Sequence, residues 1–210
     1  MYTLYGTQGS GAAIVEAALQ MAQVEFRMVD AASWQASAGL EELRRVNPLA
    51  QIPTLVLPDG SVLSESAAIL IHLGLQFPAC GLLPADPGLR AQAIRGLMYI
   101  AANCYAAIGV IDFPERWCAQ ADEDDRQRII AGSKQRLHHL WDVFADTFPA
   151  ALLLDGTLLT ALGLMALIVS RWSGSRAHLA GARPEFSALL SRLEQHEQVA
   201  GVLARHWPQA

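Results

Sequence analysis

The segment "NPLAQIPTLVLPDGSVLSESAAIL", Asn47 to Leu70, limits this chain more than any other, because it sets an Ile-Pro step at the start of a strand. Proline has no N–H to give a sheet and is confined to edges, bulges or strand starts. A cis bond between Ile52 and Pro53 turns the chain so that the N–H and C=O of Ile52 point away from the sheet. Both groups can then pair with an extended peptide as an added strand. "IPTLVL", the turn "PDG" and "SVL" read as a hairpin, and a helix follows from about Ser64 with Ile69, Leu70, Leu73 and Phe77 on one face. Ser66 falls in the first turn of that helix, where unpaired N–H groups and the dipole suit a carboxylate. Glu65 beside it can take an ammonium through a charge-assisted hydrogen bond. An ordinary hairpin and helix would account for the Pro-Asp-Gly turn, but not for Ile-Pro together with Glu-Ser.

Upstream, "YTLYG" reads as a strand and Ala12 to Ala22 as a helix with Ile14, Ala17, Ala18 and Met21 on its apolar face. "VEFRMVD" alternates like a strand, and "SAGLEELRRV" makes a short helix that Asn47-Pro48 ends. Residues 1–77 therefore run β-α-β-α-β-β-α, an α/β unit. Pro78 stops the last helix, and "PACGLLPADPG" has the Pro and Gly density of a linker, over residues 78–88. Residues 89–210 carry helical periodicity and no convincing strand, which predicts an all-α domain. Leu89 to Ile111 reads as one long apolar helix before "DFPERW", where Pro114 breaks it. A second helix behind the acidic run "ADEDD" places Ile130, Leu137, Trp141 and Phe144 on one face, with the acids at the positive end of its dipole. Leu158 to Trp172 is the most apolar helix, and Pro184 to Leu193 and Gln198 to Trp207 close the chain.

Charge and composition exclude several classes. With a net charge of −5 and Lys134 as the only lysine, the chain lacks the basic surface a nucleic-acid partner requires. Cys80, Cys104 and Cys118 match no zinc or dithiol spacing and leave one thiol unpaired in any disulfide scheme, which points to a reducing, cytoplasmic setting. "MYTLYG" has no charged n-region and no long apolar run, so no secretory signal is expected. The most membrane-like stretch, Leu158 to Val169, is too short to span a bilayer, and no membrane partner is expected. The six histidines form no metal-ligand spacing, so no metal is expected.

On these motifs the chain resembles the cytosolic glutathione transferase superfamily, over essentially its whole length, as a bacterial, serine-type-like or unclassified subgroup. "NPLAQIPTLVLPDGSVLSESAAILIHL" follows the family pattern N-P-x-G-x-V-P-x-L…D-G…[EQ]-S-x-A-I, with Ala50 in place of the usual glycine and Ile52 in place of valine. The resemblance implies a thioredoxin-like first domain and an all-α second domain. It also implies glutathione as co-substrate, a tripeptide with the peptide backbone and zwitterionic end that the segment suits. Ile52 would pair with its cysteinyl backbone, Pro53 would be cis, Glu65 and Ser66 would hold the γ-glutamyl end, and Gln51 would reach the tripeptide. A homodimer is implied as well.

In this family the loop after the first strand supplies the group that activates the sulfur. Here that loop is "GTQGSG", neither a Walker loop nor a GxGxxG fingerprint. Lowering a thiol pKa from near 8.5 by about two requires roughly 2.7 kcal/mol of preferential thiolate stabilisation, much of which one hydroxyl at a helix N-terminus can supply. Ser10 is the first choice, Thr7 the second; Ser10 also suits a plain helix cap. Against cysteine-type members, Gly11 falls on the cysteine. Tyr5 sits inside the strand. In the second domain, "YIAANCYAAIGVIDFPERW" places Asn103, Tyr105 and Asp112 on the helix that lines the electrophile pocket in relatives, where Tyr105 either donates to a substrate oxygen or simply packs. Cys104 has nothing basic near it to lower its pKa. Many relatives cap their central helix with a Ser/Thr-x-x-Asp box; Leu159 and Leu162 occupy those places here, leaving Thr157 or Thr160 as caps in another register.

The implied activity is attack by the glutathione thiolate on a small apolar electrophile, a detoxification chemistry. A non-catalytic protein-binding or stress-response subunit on the same fold is the rival. A glutathione-dependent isomerase or disulfide reductase shares the first site and differs in the second substrate.

Overall fold

The computed structural model describes residues 1–208. β1 (Tyr2–Gly6) runs through the middle of the first domain, and the helix α1 (Ala12–Met21) that comes after it buries every residue from Ala12 to Leu19. Alanines at 12, 13, 17 and 18 permit that burial on all sides: α1 lies against β1 and α-helical neighbours from both domains. β2 (Phe26–Asp30) pairs parallel with β1, and α2 (Ala38–Val46) is capped by Ser37, whose side chain accepts the Leu40 N–H at 3.1 Å. β3 (Thr54–Val56) and β4 (Val62–Ser64) form the antiparallel hairpin, giving a mixed sheet of order β2-β1-β3-β4. α3 (Ser66–Gln76) starts after Ser64 because Val62–Ser64 is taken up by β4.

A single 3-10 turn at Pro78–Cys80 follows, and Asp86 caps the next helix by accepting the Leu89 N–H at 2.8 Å. α4 (Pro87–Tyr99) thus begins ahead of Leu89. The regular helix expected from Leu89 to Ile111 is interrupted: Ile100–Tyr105 is a π-helical segment, and α5 (Ala106–Asp112) resumes the α pitch. This composite, Pro87–Asp112, and not Leu158 to Val169, has the length and apolarity of a membrane span. It packs with one face on α6 (Glu123–Thr147) and on the apolar helix α7 (Ala161–Val169), and leaves Leu89 and Met98 exposed on the other. The acids before α6 form a capping box, Asp122 accepting the Asp125 N–H at 2.7 Å.

The second domain does contain strands. β5 (Leu154–Asp155) and β6 (Leu158–Leu159) make a two-residue ladder, which delays α7 to Ala161. Thr160 resolves the question of its cap: its hydroxyl donates to the Leu152 carbonyl at 2.7 Å and accepts the Gly163 N–H at 3.1 Å. All nine residues of α7 are buried, and the helix touches α1, α3, α4 and α9 (Pro184–Glu194), the last of which follows α8 (Ser175–Ala182). At roughly 1.5–3 kcal/mol per buried Leu, Ile, Val or Met side chain, this helix contributes several such side chains to the core that it shares with α1 and α3 of the first domain. α8 has no counterpart in the periodicity; Gly174, at φ 80°, opens it. α10 (Glu197–His206) returns to pack on α1.

Candidate functional site

The Ile52-Pro53 bond is cis. The β1–β3 ladder begins at Thr54, opposite Tyr5, so Ile52 lies just beyond it. Among the described residues neither its N–H nor its C=O has a hydrogen-bond partner. The turn before it is pinned by buried groups: Thr54 donates to the Gln51 carbonyl at 2.6 Å, and Asn47 Nδ2 donates to Thr54 Oγ1 at 2.9 Å. Gln51 keeps its side chain exposed. Ala50 has φ 51°, the left-handed conformation that favours the glycine of the family pattern.

Across from this strand end, Ser66 is the first residue of α3 and is buried. Glu65 precedes it, exposed, at φ 66° and ψ 110°, a sparsely populated backbone conformation for a side-chain-bearing residue. Its carboxylate makes no hydrogen bond or ion pair among the described residues, so it is free for a ligand cation. The site thus has an open peptide edge at Ile52, a helix N-terminus at Ser66 and a carboxylate between them.

The loop Thr7–Gly11 forms the third wall. Ser10 Oγ donates to the Thr7 carbonyl at 2.6 Å and accepts the N–H of Ala12 at 3.2 Å. Its one proton is therefore used inside the loop, as a helix-capping hydroxyl. Thr7 is partly buried and lines a groove of about 540 Å³ with Gln8, Glu16, Asp30, Arg205 and His206. Tyr5 is buried in β1 and donates to Glu42 at 2.7 Å, and burial together with that carboxylate pushes its phenol up to about 12.

From the second domain, Tyr105 ends the π segment and reaches this loop. A Cβ placed on Gly11 would collide with the Tyr105 hydroxyl and lie 3.5 Å from Pro53 Cδ. The phenol ring packs at 5.7 Å from Trp172, and burial first, then Glu65 and Asp112, raises its pKa, so it stays a protonated donor. Asn103 spends its Nδ2 on the Tyr99 carbonyl at 3.0 Å within its own helix. Asp112 is exposed at the end of α5. Cys104 is buried and pushed up to about 12, a packed thiol with no nucleophilic character.

Sequence reasoning passes over the support behind the loop. Glu16, buried in α1, accepts from His206 Nε2 at 2.8 Å and Arg205 Nη2 at 2.6 Å, while His206 Nδ1 accepts the Gly9 N–H at 3.2 Å. Its one signal is a carboxylate inside the otherwise apolar run Ala12–Leu19. No cluster of three metal-ligating side chains occurs among the described residues.

Residues 12–76 match the family model for the glutathione S-transferase N-terminal domain. The uncharacterized GST-like protein YncG of Escherichia coli (strain K12) is 32% identical over 131 residues, covering 62% of this chain and 63% of that protein. A probable maleylacetoacetate isomerase of Caenorhabditis elegans is 37% identical over 103 residues, 49% of this chain and 46% of that one. The chain therefore spans less than two thirds of the length of either relative. Among solved structures, a glutathione transferase homologue from Sulfitobacter with bound glutathione superposes with a TM-score of 0.78 at 22% identity, covering 96% of each chain, a likeness of fold. The chain thus carries a match to the glutathione S-transferase N-terminal domain over residues 12–76, within a thioredoxin-like domain with a cis-proline edge, and shares over nearly its whole length the fold of a glutathione transferase homologue.

Proposed function

We propose that the protein binds glutathione and transfers it to a small apolar electrophile. The observation that carries the reading is the unpartnered Ile52 N–H and C=O just before the Thr54–Ser64 pair of the hairpin, with α3 starting at Ser66 behind an unpaired Glu65 carboxylate. The cysteinyl backbone would extend the β3 edge at Ile52, Ser66 and the free amides of α3 would take the γ-glutamyl carboxylate, and Glu65 its ammonium. Gln51 is placed to reach the tripeptide from the exposed side. Thiolate attack would form the sulfur–carbon bond as the leaving group departs with its electron pair. Asn103 and Asp112 are kept as second-domain residues near the electrophile, although Asn103 is already bonded within its helix. The likeness to a glutathione-bound structure supports the first substrate. A homodimer in the cytoplasm, serving detoxification with no metal, nucleic acid or membrane, completes the reading; three free cysteines suit such a compartment.

Calorimetric titration with glutathione tests it. Binding at millimolar ligand or tighter, with turnover of a nitro-activated aryl chloride, is the expected result; no binding at that concentration would favour a non-catalytic subunit. A glutathione-dependent isomerase is the second reading, favoured by the likeness to the nematode isomerase. Isomerisation of a cis-dienoic acid without net consumption of glutathione would establish it in place of transfer.

A further inference from the structure

We propose that the hydroxyl which contacts the glutathione sulfur is that of Tyr105, delivered from the second domain, and that glycine at position 11 leaves room for it. This rests on the glutathione reading above and specifies its chemistry.

Two of the first-domain hydroxyls are committed elsewhere. Ser10 gives its proton to the Thr7 carbonyl at 2.6 Å, and Tyr5 gives its own to Glu42 at 2.7 Å. Thr7 is part of the groove behind the loop, with Glu16, Asp30 and His206. Tyr105 Oη has no hydrogen-bond partner among the described residues. It lies against Gly11 at the head of α1 and close to Pro53, the residue next to the open peptide edge of Ile52. A cysteinyl residue paired with Ile52 would lie next to Pro53, and its sulfur would have to reach the space between Pro53, Gly11 and Tyr105 to meet this hydroxyl.

The groups facing the phenol suit a donor. Glu65 and Asp112 both disfavour its ionisation, and burial does so more strongly, so it offers O–H rather than O⁻ at neutral pH. A hydrogen bond from this O–H to sulfur is stronger for the thiolate than for the thiol, which lowers the thiol pKa. The proton leaves the sulfur for solvent, and the phenol keeps its own throughout. Trp172, 5.7 Å from the ring, holds the phenol's orientation by packing.

Ultraviolet titration of the thiolate of bound glutathione, on the full chain, tests the proposal, with affinity measured in parallel by calorimetry. In Tyr105→Phe the bound thiol pKa should rise by about one to two, and turnover at neutral pH should fall roughly tenfold or more, while affinity changes less than about threefold. Gly11→Ala, whose new methyl displaces the hydroxyl, should do the same on its own and add little when combined with Tyr105→Phe, as coupled residues do. An unchanged thiol pKa in Tyr105→Phe with binding intact would overturn the proposal alone, as would a rise confined to Ser10→Ala or Thr7→Val. Failure of the unaltered protein to bind glutathione would instead overturn the parent reading and this one with it.

Discussion

Nδ1 of His206 accepts the N–H of Gly9 at 3.2 Å, joining the last helix to the first loop. The acceptor role leaves the ring proton on Nε2, which donates to Glu16 at 2.8 Å. Burial tends to raise the Glu16 carboxyl, but the hydrogen bonds from His206 and Arg205 outweigh it and hold the pKa below the ordinary value. A carboxyl lowered on folding stabilises the native state fully above its unfolded pKa, and that contribution is lost as pH falls through the folded one. Urea denaturation of Glu16→Gln should show a protein less stable than the parent at neutral pH. The gap should close on acidification through the carboxylate range; a gap independent of pH would refute the assignment.

Glu65 carries a backbone conformation at φ 66° that costs about 1–3 kcal/mol for a residue with a side chain. Glu65→Gly should therefore be no less stable than the parent in thermal unfolding, relief of that cost offsetting the extra freedom glycine gives the unfolded chain. Its affinity for glutathione should nevertheless weaken at least tenfold, since one charge-assisted hydrogen bond is worth about 1.5–3 kcal/mol. Loss of stability with affinity retained would contradict both halves.

Thr160→Val tests the join between the domains. It removes the hydroxyl that caps α7 and that satisfies the buried carbonyl of Leu152. Denaturation midpoints should drop by the equivalent of about 2–4 kcal/mol with an unchanged m-value, whereas Thr157→Val, on an exposed turn, should stay within about 0.5 kcal/mol.

Large apolar side chains stay in solvent on α3 and α4: Leu75 is 57% exposed, Leu89 52% and Met98 49%. Sedimentation equilibrium should give twice the chain mass of 22.7 kDa. A monomer at micromolar concentration would remove the dimer from the proposed function.

The parts of this molecule that can be read from its residues are those whose causes lie close together in the chain. The hairpin, the Ile52-Pro53 step and the start of α3 all depend on neighbours within a few positions, so Ile52, Pro53 and Ser66 are legible at once. Sequence narrows the cap of α7 to two threonines, and only the carbonyl of Leu152 decides for Thr160. α8 escapes because Ser175 and Leu179 are its only buried residues, too few to make a period; Arg176, bonded to the Leu167 carbonyl and Ser170 Oγ, ties it to the end of α7 instead. β5 and β6 are too short to show alternation. The buttress of Glu16 joins residues from opposite ends of the chain, which no local pattern records.

The π segment between Tyr99 and Tyr105 gives the number of residues there a meaning of its own. A wider turn holds one residue more than an α turn, and each residue rotates the downstream helix by about 100°. Shortening the segment by a single alanine, such as Ala102, would swing the phenol off the cleft and turn α5 with it, though every side chain kept its identity. The bearing of Tyr105 is thus a matter of counting as well as chemistry, and relatives that keep the tyrosine but differ in length here would aim it elsewhere.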